Sequence, residues 1–150
     1  MEIYFHLLLI SMLPLIELRG AMIYAAMSRA EFLPSLAISV LGNLLPVPFL
    51  IRFSKQVLTY LSGSKRFGGF AEKIINHGNR KAEKVRNLEM LGLFLFVALP
   101  VPGTGAWTAS LIAALLQLRI VKSFFVIAAG VVTCGIIMGI LSFGLTGLIK

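Results

Sequence analysis

This chain of 150 residues contains no aspartate, six acidic residues in all, two histidines, one cysteine and one tryptophan. Each shortage excludes something. There is no Cys-His pair, no metal-ligand spacing and no phosphate-binding glycine loop of the soluble type, so neither an enzyme nor a cofactor or metal site is expected. Cys134 lies alone in an apolar run; it can form no internal disulfide and reads as a small buried residue. Charge is scarce too. Charged residues make up 13% of the chain and hydrophobic ones 58%, the balance of an integral membrane protein with no room for a separate soluble domain.

The charges that exist are unevenly placed. Net charge is +8, and nine of the fourteen Lys and Arg (Arg52, Lys55, Lys65, Arg66, Lys73, Arg80, Lys81, Lys84 and Arg86) fall between residues 52 and 89, against three Glu. That excess marks a cytoplasmic loop rather than a nucleic-acid surface. Its charges alternate with Phe67, Phe70, Ile74, Ile75, Val85 and Leu88. Short amphipathic helices on the inner membrane surface are therefore expected, interrupted at Gly68-Gly69 and Gly78. His77 reads as a solvated loop residue.

Four apolar segments flank this loop. Ile3–Ile16 is too short to span a bilayer, Phe32–Ile51 is just long enough, and Ser123–Ile149 is ample. Glu2 stands where a signal peptide would be basic, so the start is expected to be mature sequence. The remaining segment, Met90–Leu118, holds no charge, yet Leu99-Pro100-Val101-Pro102-Gly103-Thr104-Gly105 lies at its centre. Proline removes backbone donors and glycine adds freedom. An irregular backbone at membrane depth is tolerated only when it is buried in protein or lines a wet cavity.

Leu13-Pro14, followed by Glu17, Arg19 and Gly20, resembles Leu99-Pro100 followed by Gly103 and Gly105, each before a resumed apolar helix. The expected architecture is thus all-α: two re-entrant helical hairpins and two transmembrane spans in inverted repeat. Residues 1–51 form the first repeat, 52–89 the basic cytoplasmic linker and 90–150 the second repeat, all in one membrane domain. Four full spans, with Arg119 and Lys122 outside, are the competing arrangement.

In the hairpin arrangement Thr104 is expected to cap the helix starting near Ala106, whose free amides suit a phosphate or carboxylate. Arg19 is expected to grip the same anion. Glu17, the only acid flanked on both sides by membrane-depth sequence, is the candidate proton carrier. The candidate substrate-binding set is Arg19, Asn43, Pro100, Pro102, Gly103, Thr104, Gly105 and Trp107. Bland alternatives stand beside these. Glu17 and Arg19 also fit the end of an interfacial helix, Trp107 an interface anchor, and Asn43 a partner for a carbonyl freed by Pro46 or Pro48. Gly130, Gly135 and Gly139 suit close helix contact.

Leu99–Ser110 (LPVPGTGAWTAS), with Glu17-Leu18-Arg19-Gly20 and Gly42-Asn43, resembles the small multi-drug export protein family, itself distantly similar to the DedA/VTT membrane proteins. The resemblance implies two re-entrant hairpins in inverted repeat and a transport role. Through the DedA/VTT relatives it implies lipid movement between leaflets. Those relatives carry an acid after their Pro-Gly pair, where this chain has Thr104. The expectation is a small transporter of the cell (inner or plasma) membrane, multi-pass and proton-coupled. It would be a homo-oligomer, a dimer first, moving an anionic or lipid-like substrate. A lipid flippase or scramblase and a non-transporting scaffold are the alternatives.

Overall fold

A computed structural model describes residues 2–80 and 83–148, so Lys81 of the basic segment lies outside the described residues. Among these the chain is all-helical, with eight helices and no strand. Two short helices open it, α1 (Glu2–Met12) and α2 (Glu17–Met27). Next come α3 (Phe32–Leu44) and α4 (Val47–Ser62), then α5 (Gly68–Asn79). The second half contains α6 (Glu83–Ala98), α7 (Ala106–Leu115) and α8 (Ile120–Leu148). Two stretches are long and apolar enough to cross a membrane: Phe32–Ser62, which joins α3 to α4, and Ile120–Leu145 within α8.

Local chemistry explains the breaks. Pro46 and Pro48 have no N–H for the carbonyls of Gly42 and Leu44, so the Phe32–Ser62 stretch bends between Leu44 and Val47. The expected interruptions of the basic segment are not found where glycine stands. Gly68 and Gly69 open α5, and Gly78 lies in its last turn. A glycine costs a helix about 1 kcal/mol, but here it creates room. A Cβ on Gly78 would stand 2.7 Å from Cγ of Gln117, and one on Gly68 would stand 2.7 Å from the Ser62 carbonyl oxygen.

The two halves pack alike. α1 lies along α3 as α6 lies along α8, while α2 crosses to α8 and α7 crosses to α4. A shift of 88 positions carries Phe32, where α3 starts, onto Ile120, where α8 starts. The same shift carries Ala21, Ala25 and Ala26 of α2 onto Ala109, Ala113 and Ala114 of α7, all six buried. It also pairs Pro14 with Pro102, whereas the sequence motif pairs Leu13-Pro14 with Leu99-Pro100.

α2 and α7 even end the same way. Ala30 N–H reaches Ala25 O and Arg29 N–H reaches Ala26 O; Leu118 N–H reaches Ala113 O and Gln117 N–H reaches Ala114 O. These are Schellman caps, with Arg29 (φ 54°) and Gln117 (φ 55°) in the left-handed place glycine usually takes.

Close approach holds the layers together. Gly42 faces the Leu8 carbonyl of α1, and Gly130, again 88 positions on, faces Val97 of α6. Gly135 meets Leu36 and Leu18, and Gly139 meets the Phe32 ring, so this glycine face packs within the chain. Leu18, Met22, Val47, Ile51, Val97 and Ile127 fill the interior between them. In a bilayer such packing, with little help from hydrophobic exclusion, is what associates helices.

Candidate functional site where two links meet

The link from α6 to α7 is built by its prolines and one glycine. Val101 N–H turns back to Leu99 O at 2.8 Å, and Thr104 N–H to Val101 O at 3.2 Å. Gly103 has φ 85°, the value a type II turn requires at its third residue, with proline ahead of it. Val101-Pro102-Gly103-Thr104 is such a turn. The carbonyls of Leu99, Val101 and Thr104 all lie outside α6 and α7.

Arg19, in the first turn of α2, collects them. Its guanidinium donates to Leu99 O at 3.0 Å, to Thr104 O at 3.1 Å, to Thr104 Oγ1 at 2.8 Å and to Val101 O. A planar fork with five donors suits such a cluster, where an ammonium would not. The Thr104 hydroxyl completes the knot with Val101 O at 2.7 Å and Leu99 O at 3.0 Å.

Glu17 works on the other side of the link. It begins α2 with φ 51°, a left-handed backbone that costs about 1–2 kcal/mol outside glycine. Its side chain is buried. Oε1 accepts the backbone N–H of Trp107 at 3.3 Å. Helix α7 has no cap from its own side chains, so a carboxylate from the first half serves its positive end. The Trp107 indole Nε1–H donates to Met12 O at 3.1 Å, tying α7 to the end of α1. Gly105 lets the carboxylate in, because a Cβ there would collide with it.

Behind these residues lies a small cavity of about 10 Å³, lined by Glu17, Arg19, Asn43, Gly105, Val131 and Cys134 among others. That is about the space of one water molecule. Asn43 is 3% exposed, and its Oδ1 has no hydrogen-bond partner among the described residues.

Of the residues singled out in the sequence, Glu17, Arg19, Thr104, Gly105 and Trp107 come together, and Asn43 lines the same cavity. Pro100, Pro102 and Gly103 shape the link. Two expected roles change. Thr104 does not cap α7; Gly105 occupies that position, and the Thr104 hydroxyl serves the link instead. Arg19, expected on an anion, has its donors on the backbone carbonyls of Leu99, Val101 and Thr104. The sequence reading missed Ser35 and Ser39, both fully buried and with no partner for Oγ among the described residues. Their signal was a spacing of four running Ser35, Ser39, Asn43 on one face of α3.

Two membrane-length apolar stretches, two short helix pairs and a polar knot between their links define a small helical membrane protein. Residues 17–137 match the family described as "Putative small multi-drug export protein". The chain belongs to that family. No curated protein and no solved structure matches it.

Proposed function

We infer that the protein is a proton-coupled membrane transporter, in which Glu17 carries the proton. It moves an anionic or amphiphilic substrate through a midplane site where two re-entrant hairpins meet. The observation that carries this reading is the contact of the Glu17 carboxylate with the Trp107 amide. It joins the first half to the second at the depth where both helices break. Protonating Glu17 weakens its hold on the α7 N-terminus and loosens the two halves from each other, while Arg19 keeps the link folded. An anionic substrate then meets amides that the carboxylate no longer holds.

Dimensions support the hairpins. Helices α1 and α2, of 11 residues each, and α7, of 10, reach about 15–17 Å at ~1.5 Å per residue, half of a roughly 30 Å hydrocarbon core. The α7–α8 turn favours the same arrangement over four full spans. Gln117 packs on Gly78 of α5, and Lys55 of α4 donates to Leu118 O. Residues 117–118 therefore keep company with the basic segment, which the charge rule assigns to the cytoplasm. The matching helix ends, alanines and close-contact glycines at a shift of 88 favour an inverted repeat. Exposed Leu13, Leu15, Leu99 and Val101 at the hairpin tips favour a second copy against them, hence a dimer.

The lipid-moving alternative draws on one feature. A groove lined by Arg52, Lys55 and Tyr60 adjoins another lined by Phe49 and Phe53, a pairing that suits a charged headgroup beside an acyl chain.

The deciding experiment is flux in proteoliposomes under a pH gradient, with anilinonaphthalene sulfonate as the amphiphilic anion. Glu17→Gln is expected to abolish gradient-driven flux while leaving the melting temperature within a few degrees. Undiminished flux in this variant would refute proton coupling through Glu17.

A further inference from the structure

The polar face of α3 packs inside the protein with its oxygens unbonded among the described residues. Ser35 and Ser39 are fully buried, Asn43 is nearly so, and Ser35 Oγ, Ser39 Oγ and Asn43 Oδ1 all lack a hydrogen-bond partner among the described residues. Buried polar atoms are almost always satisfied. A helical serine can bond the carbonyl four residues back, as Ser110 does to Ala106 O at 2.6 Å. Three unmet oxygens in succession on one face are therefore a feature to explain.

Their placement is specific. Neighbouring residues of α3 meet other helices: Phe32 and Leu36 face Gly139 and Gly135 of α8, and Gly42 faces Leu8 of α1. The stripe lies between these faces, toward the protein interior. Across the turn between α2 and α3, Ala25, Ala21 and Glu17 stand equidistant from it with Ser35, Ser39 and Asn43 respectively. Ala21 and Ala25 are fully buried and small. At its deep end the stripe arrives at the cavity that Asn43 shares with Glu17.

We propose that Ser35, Ser39 and Asn43 form the proton path to Glu17, a relay of hydroxyls and single waters running down α3 from its Phe32 end. This rests on the reading of Glu17 as the proton carrier and adds its route and the side of entry. Residues four apart on a helix are separated by about 6 Å along its axis. That is about two O–H···O hydrogen bonds of ~2.8 Å each, the span of one bridging water. Each serine hydroxyl accepts a proton on one side and releases its own on the other. Asn43, whose amide carries no exchangeable O–H, holds the last water through Oδ1. That water passes its proton to the Glu17 carboxylate, which becomes neutral, so nothing is oxidised or reduced. The charged and titratable groups lining the Glu17 cavity are Arg19 of α2 and Cys134 of α8. α3 contributes the neutral Asn43 there, and α6 and α7 contribute no ionisable side chain. In the topology above the Phe32 end faces outward, so the relay admits protons from outside.

Trp107 supplies a test independent of transport. It is the sole tryptophan, and its backbone bonds the carboxylate that titrates. In proteoliposomes holding the whole chain, an external acid jump followed by stopped-flow fluorescence reads how fast Glu17 is protonated. Ser39→Val is expected to slow the change about ten-fold, the scale of one hydrogen bond missing from the barrier. Ser39→Thr, of nearly equal shape but with the hydroxyl kept, is expected to stay within about two-fold of the parent. The milder Ser35→Ala is expected to slow it about three-fold or more on the same grounds. In all three the equilibrium midpoint is expected to stay put. Equal rates for Ser39→Val and Ser39→Thr, or an unaltered rate in Ser35→Ala, would overturn the path. Glu17→Gln separates this from the wider reading. It is expected to remove the fluorescence response altogether, and a surviving response would overturn both the carrier and its route.

Discussion

Gly105 stands so close to Glu17 that a Cβ on it would take the place of the Glu17 carboxylate. The glycine belongs to the second half of the chain and the acid to the first, so the contact reports directly on how the halves meet. Gly105→Ala is expected to expel the carboxylate from the α7 N-terminus. Trp107 emission should then lose its dependence on pH while the helix content by circular dichroism is retained. A pH response equal to that of the parent would show that the carboxylate had another place to go.

Arg19 holds the second link through four hydrogen bonds to three residues. Arg19→Lys keeps the charge and loses the fork. With hydrogen bonds to charged groups worth about 1.5–3 kcal/mol, the variant should melt several degrees lower in detergent. A cysteine placed at Val101 should also react faster with a thiol reagent. An unmoved melting temperature would mean the carbonyls find other donors.

Arg29 takes a left-handed backbone at an exposed C-cap where glycine has no such cost. Arg29→Gly is expected to stabilise the protein by about 1 kcal/mol, measured as a raised melting temperature. Gln117 is the poorer target for the same change, because its side chain packs on Gly78.

Gly42 admits the Leu8 carbonyl oxygen, which a Cβ would approach to 2.6 Å. Backbone cannot yield cheaply, so Gly42→Ala should cost about 1–3 kcal/mol and lower the melting temperature. Gly69, with nothing within 4 Å of such a Cβ, is the control and should tolerate alanine.

Much of this is legible in the sequence. An apolar span from Ser123 onward and a basic segment after Ile51 follow from hydropathy and charge alone; the helix itself starts three residues earlier, at Ile120. Two prolines and two glycines at 100–105 announce a break at membrane depth. Glu17 and Arg19 stood out because charge is so rare beside apolar runs. Partner choice was not legible. An arginine looks identical in sequence whether it awaits an anion or binds three carbonyls, and only the tertiary meeting of the two links decides. Thr104 looked like a cap because caps are local, whereas the hydroxyl is claimed by a turn three residues back and by Arg19 across the fold. Ser35 and Ser39 passed as ordinary small residues, since burial and the absence of partners emerge only once α1, α2 and α8 close around α3.

The measurement closest to the central claim concerns the short turn between α7 and α8. With Cys134 replaced by alanine and cysteine introduced at the exposed Val121, intact cells are treated with a membrane-impermeant maleimide. Two opposed re-entrant hairpins predict protection until the cells are opened, because residues 117–122 then lie on the cytoplasmic side with Lys55 and Gly78. Labelling from outside would contradict the account. Met90–Leu118 would then cross the membrane, and Glu17 would no longer meet Trp107 at its midplane.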